Sequence, residues 1–440
     1  MIILTLLLNL LFFGSVKSEI KLNFEKQYYS LPLTKENIFI NLFYNHLIVK
    51  TYIGSKKQEI RLLLKFLEYN TFIFGNELKE ETKLTKFNNE ISSTFKFITK
   101  KAEFYVISRF NLAYKCEDTF YLDNKEYKNF KFLLIKELNE DYVNYTLIEG
   151  GVLGLQKYME TAQDIDDYNF IIMLKKLKYI NSYSFTLKYD IKDKNKGEFI
   201  LGNEPHEYDK NYEEKSFLKT RAYDLKNKFS YGFLFDNIYS NESYFNEYLE
   251  AGVAIDFGVI IGLKEYKIFI DKLFFSEKIK EKVCFSEKMK FEEISSNIFF
   301  YYCDENVDTS IIPNLNFQIK EIDVIFSFKE SELWFNFEGK KYFLITFRDY
   351  GSSWILGEPF LRKYQLVINQ DNSTFGYYNQ DLKRNTSFFT ILNWIIVIFL
   401  FIVVLILIGY ILKLILFKRK RKIANELIED YNYKDITEIN

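Results

Sequence analysis

An all-β body with a few short helices, followed by one membrane-spanning helix near the carboxy terminus, is the fold class that the sequence predicts. Three observations carry it. Between Glu19 and about Asp381 the apolar residues come in short or alternating runs broken by polar turns, as in Ile38–Phe43, His46–Val49 and Ile60–Leu64; such runs are the signature of strands. Long helical periodicity is scarce there, with Asp167–Lys178 and Lys264–Phe275 the best helix candidates. From Trp394 to Leu412 the chain is apolar throughout, apart from Gly409 and Tyr410, and that length crosses a bilayer as a helix.

The strand reading agrees with composition: 46 Phe and 34 Tyr stand against 4 Pro, and aromatic residues favour the pleated surface of a sheet. With 440 residues the chain has room for two domains or one large two-lobed unit. A formal net charge of −1 gives no basic field, so nucleic acid is not an expected partner. The two histidines, His46 and His206, have no metal-ligand spacing between them. Zinc chemistry and histidine-based triads are thereby excluded, and no metal or cofactor is expected.

The chain ends predict a membrane topology. Residues 1–18 read as a signal peptide: an apolar core from Ile2 to Phe13 precedes Val16 and Ser18, small residues suited to cleavage after Ser18. The spanning helix is placed at 391–413, with Trp394 as an interfacial aromatic and Lys413 able to snorkel. The basic block Lys418–Lys422 opens the tail 414–440, and positive charge stays cytoplasmic. A single-pass type I protein of the secretory pathway, cell surface or a lysosome-like compartment follows. Glycosylation sequons on the lumenal side lie at Asn144, Asn241 and Asn372, with a fourth at Asn385 close to the membrane.

The body is organised around Ala254-Ile255-Asp256-Phe257-Gly258-Val259, followed by Ile260-Ile261-Gly262. An apolar run, one carboxylate at a tight turn and a second apolar run describe a strand that enters and leaves a corner. Two further stretches accompany it, Ile53-Gly54 with Gln58 and Leu62-Leu63-Leu64, and Trp354-Ile355-Leu356-Gly357-Glu358-Pro359-Phe360-Leu361-Arg362. In that order the three resemble the pepsin-like aspartic peptidases, the peptidase A1 family. The resemblance implies a bilobal fold with pseudo-twofold related lobes and a central cleft, the amino-terminal lobe at 19–200 and the carboxy-terminal lobe at 201–387.

Other stretches extend the resemblance. Gly151-Val152-Leu153-Gly154-Leu155 is similar to the strand that crosses under the first catalytic loop, and Phe170–Leu177 to the helix after it. Ser92–Phe95 and Asp118-Thr119 resemble the two ends of the flap hairpin, but no glycine lies between them. That absence predicts a stiffer, shorter or differently shaped flap. The spacing of Cys284 and Cys303 resembles the family's carboxy-lobe disulfide and leaves Cys116 over.

The resemblance places the second catalytic carboxylate at Asp256 and the first at position 65, where this chain has lysine. Hydrolysis of this type needs two carboxyls sharing one proton around a water, one acting as base and the other as acid. Half of such a pair is not half an enzyme. Phe257 and Val259 also replace hydroxyl residues of the second loop. The implied protein is an aspartic endopeptidase homologue that Lys65 leaves inactive, with a peptide or protein ligand in its cleft. The alternative is an active peptidase with altered residues, Glu68 serving as substitute acid. Facing Asp256, the Lys65 ammonium is expected to hold that carboxyl below its ordinary range.

Overall fold

A computed structural model describes residues 19–379 except 29–31, 79–84, 100–102, 108, 138–149, 157–167, 191, 223–230, 242, 292–295 and 350, together with 409, 410, 413, 416, 418, 419 and 421. The leader, Asn144, Asn385 and nearly all of the expected span lie outside the described residues. Gly409, Tyr410 and Lys413 are helical. Among the described residues no helix is long and apolar enough to cross a membrane. The chain divides into two units, Met1–Gln380 and Asp381–Asn440.

Alternation builds the strands of the first unit. In Ile20–Gln27, Ile20, Leu22 and Phe24 are buried while Asn23 and Glu25 face solvent, the period of two that a half-buried strand requires. Gln58–Lys65 starts in the same way, but its last four residues, Leu62 to Lys65, are all buried, which suits a strand covered on both faces. Asp123 and Asn124, both at positive φ (48° and 59°), turn the chain between the long strands Arg109–Leu122 and Lys125–Glu137. Two-residue hairpin loops demand that left-handed geometry, and Asp and Asn tolerate it.

Among the described residues the strands assemble into two sheets, of 14 and 11 strands, and helices are few and short, so the molecule is all-β with two lobes. Each lobe repeats one pairing pattern. In the first, the strand ending at Lys65 runs parallel to Gly151–Gly154, which pairs antiparallel with Phe72–Phe74, which runs parallel to Lys125–Glu137. In the second, Ser243–Val253 runs parallel to Trp354–Leu356, which pairs antiparallel with Ile260–Gly262, which runs parallel to Ile345–Arg348. This repeat is the pseudo-twofold relation in terms of hydrogen bonds. Ile20–Gln27 lies between Lys196–Leu201 and His46–Ile53 in the first sheet. The late strands Val367–Asn369 and Thr374–Tyr378 join that sheet too.

Both helix candidates of the sequence contain a helix. Phe170–Lys176 begins at Asn169, whose side chain accepts a hydrogen bond from Ile172 N at 3.2 Å, and its first five residues are buried. Lys264–Ile270 continues through a π-turn, Asp271–Phe275, into Ser276–Lys280. Glu358–Lys363 carries Pro359 in its first turn and Arg362 and Lys363 in its last, both favourable by geometry and dipole.

One element differs from expectation. Ile38–Phe43, expected as a strand, is a six-residue helix. Of its buried residues, Ile38, Asn41, Leu42 and Phe43, the first three stand at i, i+3 and i+4, so the run satisfies the helical period as well as it satisfies a strand. In so short an apolar run, the surface it packs against decides.

Candidate functional site

Two strand ends deliver the site. Gln58–Lys65 carries Lys65 to its last position, and Ser243–Val253 leads into Asp256. The loops meet where Phe66 N donates to Asp256 Oδ2 at 3.0 Å. The N–H groups of Asp256 itself and of Leu67 also favour the ionised carboxylate. The other oxygen, Oδ1, is buried and has no hydrogen-bond partner. Lys65 and Asp256 line the same cavity, whose volume of about 10 Å³ matches a single water at most. The arrangement thus places Lys65 and Asp256 together across the two loops.

Burial dominates the electrostatics. The Asp256 carboxyl is pushed up to about 6, first by desolvation, against the opposing pull of Lys65 and of the Phe66, Asp256 and Leu67 N–H groups. The expected direction, downward under Lys65, is therefore reversed. A carboxylate only 6% exposed loses more to lost hydration than the neighbouring ammonium returns. Glu68, on the same loop as Lys65, is also buried and is pushed up to about 7 by desolvation, with Asp256 adding to the rise. Its Oε1 accepts from Tyr69 N at 3.1 Å and Asn70 N at 3.2 Å. Buried His46 is pushed down to about 3, chiefly by desolvation and then by the charges of Lys65 and Lys26. It is neutral at any physiological pH.

A third side of the site comes from residues 38–46, which sequence reasoning did not place there. Asn45 N donates to Asp256 O at 2.9 Å, and Asn45 Nδ2 to Ile255 O at 2.8 Å. Gly258 N donates to Phe43 O at 2.8 Å, and Tyr44 forms an isolated antiparallel bridge with Phe257. The Phe43 ring stacks on Phe291 with centroids 3.7 Å apart. Ile38 and Leu42 pack on Tyr342 and Leu344. Gly258 permits this approach, because a Cβ there would lie 2.3 Å from Leu42 O. The only signal available beforehand was the apolar run itself, and nothing in it names its partner. Just ahead of this segment, Lys26 forms a partly buried ion pair with Glu358, which also holds Arg362 Nη1 at 3.2 Å.

The remaining predicted residues fall as follows. Glu103–Ile107 pairs with Arg109–Ala113 in a hairpin at the flap position. At its base Ser92 Oγ donates to Asp118 Oδ2 at 2.8 Å, and Thr119 N to Asp118 Oδ1 at 2.7 Å. Cys284 and Cys303 form a disulfide between paired strands, and Cys116 is a buried free thiol. Asn241 and Asn372 are exposed in hairpin turns.

The family model for eukaryotic aspartyl proteases matches residues 47–379. No curated protein matches the chain. The matched stretch contains both Lys65 and Asp256, and residues 38–46 lie ahead of it.

Proposed function

The chain belongs to the eukaryotic aspartyl protease family, and from that premise we propose that it is a pseudoprotease, a binding protein that has kept the cleft and lost hydrolysis. The observation that carries this reading is Lys65 at the end of its strand, where the first carboxylate belongs, lining one cavity with Asp256. Below about pH 6 Asp256 is protonated and no base remains; above it, the ionised carboxylate has an ammonium beside it instead of an acid. Neither state reproduces a pair of carboxyls sharing a proton.

The ligand of this reading is an extended peptide or a protein segment held in the cleft. Tyr44, Asn45 and His46 line the same cavity as Lys65 and Asp256, so the ligand engages the cleft beside them or displaces them. The protein is further proposed to be held in the secretory-pathway, surface or lysosome-like membrane by one helix at 391–413, with the cleft facing the lumen or the outside. Exposed Asn241 and Asn372 would then carry glycans.

Glu68 favours a second reading, an active endopeptidase with altered residues. It is buried, and its carboxyl is pushed up to about 7, with the charge of Asp256 adding to the rise. One experiment separates the two. The purified protein is incubated with a peptide library between about pH 3 and 7, the range in which a carboxylate pair would work, and in parallel passed over immobilised pepstatin. No cleavage, with or without retention, is the expected result. Reproducible cleavage abolished by both Asp256→Asn and Glu68→Gln would establish the enzyme instead.

A further inference from the structure

The first strand of the body is paired unevenly. On one side, Ile20 to Glu25 lie against Lys196–Leu201. On the other, the strand meets His46–Ile53 only from Phe24 to Gln27. Beyond Val49 that neighbour leaves it for the end of Arg109–Leu122, where Tyr52 faces Tyr121 and Ile53 faces Phe120. Among the described residues no strand pairs with the second edge of Ile20 to Asn23. The fork holds a cavity of about 760 Å³, a volume typical of ligand sites. We propose that this cavity is a second binding site, separate from the cleft, which takes an acidic, extended peptide of a partner protein as an added strand.

Backbone geometry points to an extended peptide. All five residues from Lys21 to Glu25 line the cavity, whereas the side chains on one face of a strand would supply only alternate ones. The strand therefore presents its backbone edge. Opposite it, Ile48, Lys50 and Tyr52 come at every second position, so His46–Ile53 presents a face. An edge without a partner strand offers a row of N–H and C=O groups, and an extended peptide that lengthens a sheet binds through such a row.

Charge selects the peptide. Lys21, Lys50, Lys57, Arg61 and Lys196 line the cavity, against the carboxylates of Glu25 and Asp123, in a chain whose formal net charge is −1. The cations are spread along the walls instead of converging on one point. Lys196 stands opposite Glu25, Lys50 stands opposite Arg61, and Lys57 lies over the Tyr121 ring at 4.6 Å. That spread matches a row of carboxylates better than a single phosphate. Lys21, Lys50 and Lys196 now pair with Glu19, Glu59 and Asp193, and solvent-exposed pairs of this kind exchange at little cost. Lysines beside an open edge repel most strands; a strand that alternates carboxylates is the one they attract.

This site shares no lining residue with the cavity of Lys65 and Asp256, so it goes beyond the pseudoprotease reading and stands or fails without it. The full chain, purified in detergent, is titrated into a fluorescein-labelled peptide of about ten residues that alternates glutamate and threonine, long enough to run the length of a strand, and anisotropy is recorded. Saturable binding that weakens as salt rises is expected. Replacing the glutamates by glutamine should abolish it by removing the charge, and methylating the backbone nitrogens should abolish it by removing the main-chain donors. Lys50 and Lys57 are exposed and can be changed without disturbing the core. Lys50→Gln with Lys57→Gln should weaken binding by about tenfold, and Lys50→Glu with Lys57→Glu by about a hundredfold. Equal binding of the backbone-methylated peptide overturns strand addition. Heparin held more tightly than the peptide, with the same dependence on Lys50 and Lys57, overturns the proposal in favour of an anionic glycan site. No binding, or binding indifferent to both pairs of variants, overturns it outright.

Discussion

Glu68 carries the clearest pH dependence in the site. Its folded pKa, about 7, lies above the ordinary glutamate value of about 4.3. A carboxyl raised in this way holds its proton more tightly folded than unfolded. Its contribution is therefore fully present below about pH 4 and is lost as pH rises through about 7. Glu68→Gln keeps the shape and the acceptor oxygen but removes the titration, so the variant should gain stability relative to wild type on going from pH 5 to pH 8. Thermal melts of both proteins at the two pH values measure this, and an unchanged difference would remove the raised pKa. Gly258 gives a prediction with no pH dependence. A Cβ 2.3 Å from Leu42 O cannot be accommodated in place, so Gly258→Ala should force residues 38–46 off the second loop, at a cost of about 1–3 kcal/mol. Denaturant titration reads that cost.

At the scale of elements, the segment 38–46 is held by packing more than by its own helical tendency, since six residues make no stable helix alone. Phe43 is fully buried and stacked on Phe291. Phe43→Ala should therefore cost about 3–5 kcal/mol if the segment is docked. A cost near zero, together with rapid amide exchange at Asn45 and Gly258, would mean that it is not. The same scale shows what the sequence could disclose. Alternation such as Ile20, Leu22 and Phe24 announces a strand, and the corner at Asp256 announces itself by its glycine and flanking apolar runs. The helix Ile38–Phe43 was hidden because a short apolar run fits both periods. The direction of the Asp256 shift was hidden for another reason: the charge of Lys65 is written in the sequence, whereas the desolvation that outweighs it exists only once the lobes close.

At the scale of the whole molecule, the apolar run Trp394–Leu412 makes one prediction that no other element can satisfy. If the helix proposed at 391–413 is the anchor, a chain truncated before Ser387 should be released as a soluble, glycosylated product. Retention of the truncated chain in carbonate-washed membranes would refute the topology. A last consequence follows from the position of Ile20–Gln27 between Lys196–Leu201 and His46–Ile53. The first strand to leave the ribosome cannot find one of its two partners until residue 201 has been made, and the strands Val367–Asn369 and Thr374–Tyr378 come later still. At about 5–20 residues per second, that is a wait of tens of seconds with an apolar strand edge unpaired. Pairing over such distances in sequence is slow. Maturation of this protein should therefore depend on whatever guards nascent chains in its compartment, and refolding of the denatured chain should lose yield steeply as its concentration rises.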